Sequence, residues 1–156
     1  MQPKACKALR VRWPGAVVLP MDGYHLPRRL LDAQGMRRRG APHPFDPERL
    51  RADLLRLQTT GAGEFPAFDH AEGDPREAAI RIDARARPVF VEGLYLLLRD
   101  WRLEAFFDLR VFLDCPLDLA MRRVAARHLA RAWGGPSGWS VRSNLSLPRL
   151  ERGYRV

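Results

Sequence analysis

The sequence predicts an α/β fold with a parallel sheet, on three observations: short branched apolar runs, segments of helical period between them, and turn residues at the boundaries. The runs are Ala16 to Leu19, Pro88 to Val91 and Leu109 to Leu113. Each is nearly continuous in apolar residues and does not alternate, which is the pattern of a strand buried on both faces. Strands of that kind, separated by helices, imply a sheet covered on both sides.

The clearest helix begins at Asp46-Pro47-Glu48, where Asp suits the N-cap and Pro the first helical position; Leu50, Leu54 and Leu57 then share one face. A further helix is expected from about Pro116, carrying Leu117, Met121 and Val124 inward and ending at Gly134-Gly135-Pro136. The stretch from Thr59 to Arg87 reads as loop, because Gly61, Gly63, Pro66, Gly73 and Pro75 interrupt any period, and it is expected to hold mobile or substrate-facing segments. From Gly134 to Val156 the period is weak and breakers are frequent, so no compact element is placed there. The whole, 1–156, is expected to form a single domain.

A chain of 156 residues with 46% hydrophobic content can fill one core. No apolar stretch approaches a membrane span, and no secretory signal pattern opens the chain. Cys6 and Cys115 form no C-x-x-C, which argues against a zinc knuckle or a disulfide framework and suits a reducing cytoplasm. The net charge of +9, nearly all of it arginine, attracts phosphates of any kind; it equally suits a coding bias toward Arg, Ala, Pro and Gly. Nucleic acid is not the expected partner, since no helix-turn-helix, finger or stacking-aromatic pattern is present. No residue pattern sets an oligomeric state.

Five constellations carry candidate chemistry. Pro20-Met21-Asp22-Gly23-Tyr24-His25 follows the first expected strand, so Asp22 could stand at the carboxyl end of the sheet as a base for a hydroxyl group; Asp-Gly is also an ordinary turn former. Arg37-Arg38-Arg39 and Pro42-His43-Pro44-Phe45-Asp46 place cations and an imidazole ahead of a capped helix, where they could meet a phosphate or only water. Pro66-Ala67-Phe68-Asp69-His70 could line a pocket. Val89-Phe90-Val91-Glu92-Gly93 ends an apolar strand in a carboxylate, which suits Mg²⁺ held directly or through water and equally a charge reaching solvent. Arg123, Arg127 and Arg131, spaced by four, share one helix face that could fold over phosphates or face water.

Their order along the chain is more specific than any one of them. PMDGYHLPRRLLDAQGMRRRGAPHPFD, then PAFDHA, VFVEGLYLLL and DLRVFLDCPLDLAMRRVAARHLA resemble the phosphoribulokinase/uridine kinase family, with a likeness to pantothenate kinase around Arg39-Gly40-Ala41-Pro42. The resemblance runs from about Val17 to about Leu129. It implies a P-loop NTPase-type fold of three layers around a parallel sheet, and transfer of phosphate from ATP, with Mg²⁺, to a hydroxyl of a small molecule: a nucleoside, sugar or vitamin precursor. It implies that Asp22 orients or deprotonates that hydroxyl, with Tyr24 and His25 beside the substrate. Arg39, His43 and Asp69 would lie on the substrate side, Glu92 near Mg²⁺, and Arg123 and Arg127 on a lid over ATP.

The family's phosphate loop, G-x-x-x-x-G-K-[ST], does not occur in the sequence: neither Lys4 nor Lys7 follows a glycine. Met1 to Trp13 resembles at most the end of the helix that follows such a loop. The expectation is a fold lacking its first strand and P-loop, with the strands ending at Glu92 and Asp114 deprived of a shared neighbour, and with ATP binding by the chain alone in doubt. Asn144 to Pro148 only loosely matches the family's Asn-Asp-Leu-Pro-Asn segment.

Overall fold

Two of the expected strands form and pair with each other. In the computed structural model, which describes residues 4–35 and 41–132 (side chains over 8–35 and 41–126), strand β1 (Val17–Pro20) runs parallel to β4 (Val89–Glu92). Their register sets Val17 against Val89 and Pro20 against Glu92. Val18 and Leu19 are buried, as an apolar strand requires, whereas all four residues of β4 are half-buried. Among the described residues β4 has β1 on one edge and no second strand on the other. The β1–β4 pair with its helices makes this an α/β fold with a parallel sheet.

The structure corrects three expectations. Thr59 to Arg87 is mainly a β-hairpin: β2 (Gly63–Asp69) pairs antiparallel with β3 (Asp74–Ile82). Its breakers sit where a hairpin needs them. Pro66, which has no amide to give, occupies the register shift between Phe65 and Ala67, and Gly73 takes φ 71° beside the turn. Phe65 and Ile82 point into the core. Leu109 to Leu113, by contrast, makes no strand, and Leu109, Val111, Phe112 and Leu113 are 68–80% exposed. A short apolar run becomes a buried strand only when a neighbour takes up its amides, and no described residue pairs with this one.

Helix α1 (Lys4–Arg12) precedes β1, and the short α2 (Arg28–Ala33) follows Pro27. Helix α3 (Pro47–Thr60) matches its sequence signals: the Asp46 carboxylate accepts the Arg49 amide at 2.9 Å, Pro47 opens the helix, and Gly61 ends it at φ 70°. Leu50 and Leu54 are buried and Leu57 packs against the same core. That core joins β1, α3, the hairpin and the segment after β4 through Leu19, Met21, Tyr24, Phe45, Phe65, Ile82, Trp101 and Leu103.

A second unit begins at Val111. Its described part holds α4 (Leu117–Ala132), begun where Pro116 predicts and carrying an Asp118–Arg122 ion pair. Here the third correction applies: Leu117 is 64% and Val124 38% exposed, so neither points inward, because no described residue of this unit covers them; Met121 is half-buried. The expected stop at Gly134 and the tail beyond lie outside the described residues.

Candidate active site at the carboxyl ends of β1 and β4

The parallel register brings two acidic residues to one edge of the sheet. Asp22 follows β1 by two residues, on the 3₁₀ turn Met21–Tyr24, and is exposed; Glu92 is the last residue of β4, opposite Pro20, and is half-buried. Burial first, and the negative charge of Asp22 second, push the Glu92 carboxyl above the usual carboxylate range.

Two close backbone approaches shape this edge. A Cβ on Gly93 would lie 2.4 Å from the Met21 Cβ, and one on Gly23 would lie 2.3 Å from the Pro66 carbonyl oxygen. Only glycine fits at either position, so the turns that follow β1 and β4 pack directly against each other and against the hairpin.

Tyr24 does not face this edge. It is 1% exposed, and its hydroxyl donates to the Asp53 Oδ2 at 3.0 Å. Burial and the Asp53 carboxylate push its phenol well above the usual range. The resemblance places Tyr24 beside the substrate; in the structure its ring lies in the core cluster with Leu50, Leu54 and Phe65. His25, the next residue, is half-buried. Its ring lies 3.9 Å from that of Phe45 and 5.2 Å from that of Phe68, and His70 lies 5.3 Å from Phe68, so an imidazole-rich aromatic row extends from the turn to the hairpin.

The remaining expected residues are placed less directly. The Asp69 carboxylate accepts the amides of Ala71 at 2.8 Å and Glu72 at 3.3 Å, which holds it below the usual carboxylate range and occupies it in the hairpin turn. His43 is exposed between Ala41 and Pro44. Arg39 and the side chain of Arg127 lie outside the described residues. Within the second unit, Arg123 stands on α4 with one guanidinium nitrogen 3.8 Å from the Cys115 sulfur.

Sequence reasoning missed Asp53 and Tyr95. Asp53, on α3, has no local sequence signal that sets it apart from the other charges of the helix. Tyr95, whose ring is 5.7 Å from Phe45 and 5.9 Å from Trp101, stands inside an apolar run of the sequence and packs against the core.

Among the described residues no group of three or more His, Cys, Asp or Glu side chains gathers. Glu92 is the strand-end oxygen donor that would hold Mg²⁺, an ion that keeps several waters and is ordinarily bound by one or two carboxylates with substrate phosphates.

No family model matches the chain. It is similar to the ATP-dependent kinase-like protein notR' of Aspergillus versicolor, with 36% identity over 124 residues that cover 70% of this chain and 71% of that protein. It also resembles the uridine kinase of Salmonella newport, at 28% identity over 108 residues, 68% of this chain and 50% of the kinase. A solved Silicibacter sp. TM1040 chain described as a "putative fructose transport system kinase" superposes with a TM-score of 0.71 at 34% identity, over 75% of this chain and 59% of that one. The chain spans 59% and 46% of the first two curated relatives it matches. With a relative of this identity matched over more than two thirds of its length, and a parallel α/β fold shared with a solved kinase-like chain, the protein belongs to the uridine kinase-like family of P-loop kinases.

Proposed function

We propose that this chain carries the acceptor side of an ATP-dependent kinase that phosphorylates a hydroxyl of a nucleoside, sugar or vitamin precursor. The observation that carries the reading is the meeting of Asp22 and Glu92 at the carboxyl ends of two neighbouring parallel strands, the position at which open α/β sheets bind ligands. Asp22, exposed and on a turn fixed by tight packing, accepts the proton of the acceptor hydroxyl or orients it for in-line attack. Glu92 is the residue that would hold Mg²⁺, directly or through water; bound there, the ion would supply charge neutralisation for the transferred phosphoryl group. His25 and Phe68 form the wall nearest the turn and contact the acceptor. Arg123 and Arg127 are the cations proposed to close on ATP, and Arg39, His43 and Asp69 belong to the substrate side. No glycine-lysine phosphate loop occurs among these 156 residues, so none is proposed to cradle the triphosphate.

The proposed setting is the cytoplasm; no helix of the described residues is long and apolar enough to cross a membrane. The alternative is a non-catalytic binding protein. The test is phosphoryl transfer from ATP to a panel of nucleosides, sugars and pantothenate-like alcohols, read by ³¹P NMR. The protein is the chain preceded by a strand and a G-x-x-x-x-G-K-[ST] loop, with Asp22→Asn as the control. Transfer to one acceptor class, abolished by Asp22→Asn, supports the kinase. Acceptor binding without any transfer supports the alternative.

A further inference from the structure

The turn that carries Asp22 is held by more than packing. The two peptide units that leave it are tied to the chain ahead of α3: the Asp46 amide donates to the Tyr24 carbonyl at 2.8 Å, and the Leu26 amide to the Pro44 carbonyl at 2.7 Å. Gly23 is pressed under Pro66 of the hairpin. A further tie comes from the side of α3. The Tyr24 hydroxyl reaches the Asp53 Oδ2, while the Asp53 Oδ1 accepts from Arg56 at 2.8 Å. Arg56 in turn donates to the Glu64 carbonyl at 3.0 Å and lies over the Phe65 ring at 5.4 Å. One carboxylate therefore links the turn, α3 and β2.

The hydroxyl of Tyr24 is not needed to fill space. A phenylalanine ring would occupy the same place among Leu50, Leu54 and Phe65 without burying a polar group, and a polar group is costly to bury unless it is bonded. What the hydroxyl adds is a directional bond to a fixed point. Asp53 is such a point, because its side chain is only 14% exposed and its other oxygen is already held by Arg56.

We propose that Tyr24 and Asp53 are positioning residues for Asp22: their hydrogen bond pins the Met21–Tyr24 turn to α3 and fixes where the Asp22 carboxylate stands relative to the end of β4. Its functional meaning rests on the role given to Asp22 under Proposed function; the mechanical claim does not.

The experiment is ¹⁵N relaxation on the full chain. In the wild type the amides of Asp22 and Gly23 should be as rigid as those of α3, with order parameters of about 0.85. In Tyr24→Phe they should fall below about 0.6 while α3 and β2 stay rigid. A role in packing alone predicts that Tyr24→Phe changes nothing at Asp22, and that result overturns the proposal. Asp53 supplies the second arm, should Tyr24→Phe fold poorly. Asp53→Asn keeps an oxygen acceptor and should preserve the order of Asp22, whereas Asp53→Leu should lose it; equal order in these two variants also overturns the proposal. A panel of acceptors that all fail to react would remove the kinase reading and leave these relaxation results unaffected, so the two failures are distinguishable.

Discussion

The hydroxyl of Tyr24 donates to the Asp53 carboxylate at 3.0 Å, joining the turn after β1 to the middle of α3 across 29 residues of sequence. A hydrogen bond to a charged partner contributes about 1.5–3 kcal/mol, and Asp53 keeps Arg56 when the phenol is removed. Tyr24→Phe should therefore lower stability by about 1.5 kcal/mol. Urea unfolding followed by circular dichroism measures it; a midpoint equal to that of the wild type would show that the bond contributes nothing net.

Gly23 tests the backbone approach behind the same turn. A methyl group there would sit 2.3 Å from the Pro66 oxygen and 2.7 Å from its carbonyl carbon, and neither atom belongs to a side chain that can swing away. Gly23→Ala should cost at least about 2 kcal/mol, toward the upper part of the range for overpacked sites. Gly35, with open space around its Cβ direction but φ 65°, separates the two causes, since Gly35→Ala meets backbone strain alone and should cost about 1 kcal/mol.

The Arg49–Glu77 ion pair links α3 to β3 and holds the Glu77 carboxyl below its ordinary range. A carboxyl depressed in the folded state stabilises above its unfolded pKa, and that contribution fades as pH falls through the folded value. Glu77 is 66% exposed, so solvent screening keeps the effect small, under about 1 kcal/mol. The expected outcome, followed by thermal unfolding, is a wild-type advantage over Glu77→Gln at pH 7 that starts to fade as pH falls below the unfolded glutamate range, is lost once pH passes the lowered folded value, and shrinks in high salt.

For the proposed chemistry, two substitutions should separate cleanly in a chain supplied with a phosphate loop. Asp22→Asn keeps the size of the side chain and loses its charge, so turnover should fall about 10²–10⁴-fold with ATP affinity nearly unchanged. Glu92→Gln should instead raise the Mg²⁺ concentration needed for half-maximal rate. Steady-state kinetics over a magnesium series distinguishes them. Normal turnover in Asp22→Asn would return Asp22 to a turn former.

The chain without such a loop should bind Mg-ATP no tighter than millimolar, because arginines alone offer charge without the amide cradle. Calorimetry checks this; a micromolar, magnesium-dependent isotherm would point to a phosphate site built from the arginines.

Local chemistry made part of this protein legible in its sequence. The α3 boundaries follow from Asp46, Pro47 and Gly61, whose capping and left-handed geometry act within a few residues, and the strands at Val17 and Val89 follow from runs that have no other use than burial. The sites of Asp22 and Glu92 follow from strand ends for the same reason. Tertiary structure decided the rest. Pro66 and Gly73 read as breakers until β3 supplied a partner that made them a bulge and a turn, and Leu109 to Leu113 read as a strand although no described neighbour takes its amides. Tyr24 and His25 are adjacent in sequence, yet one is sealed in the core by Asp53 and the other joins an aromatic row at the site. The composition of a turn does not specify which of its side chains faces inward; that depends on the helix and hairpin packed against it, whose contacts are far away along the chain.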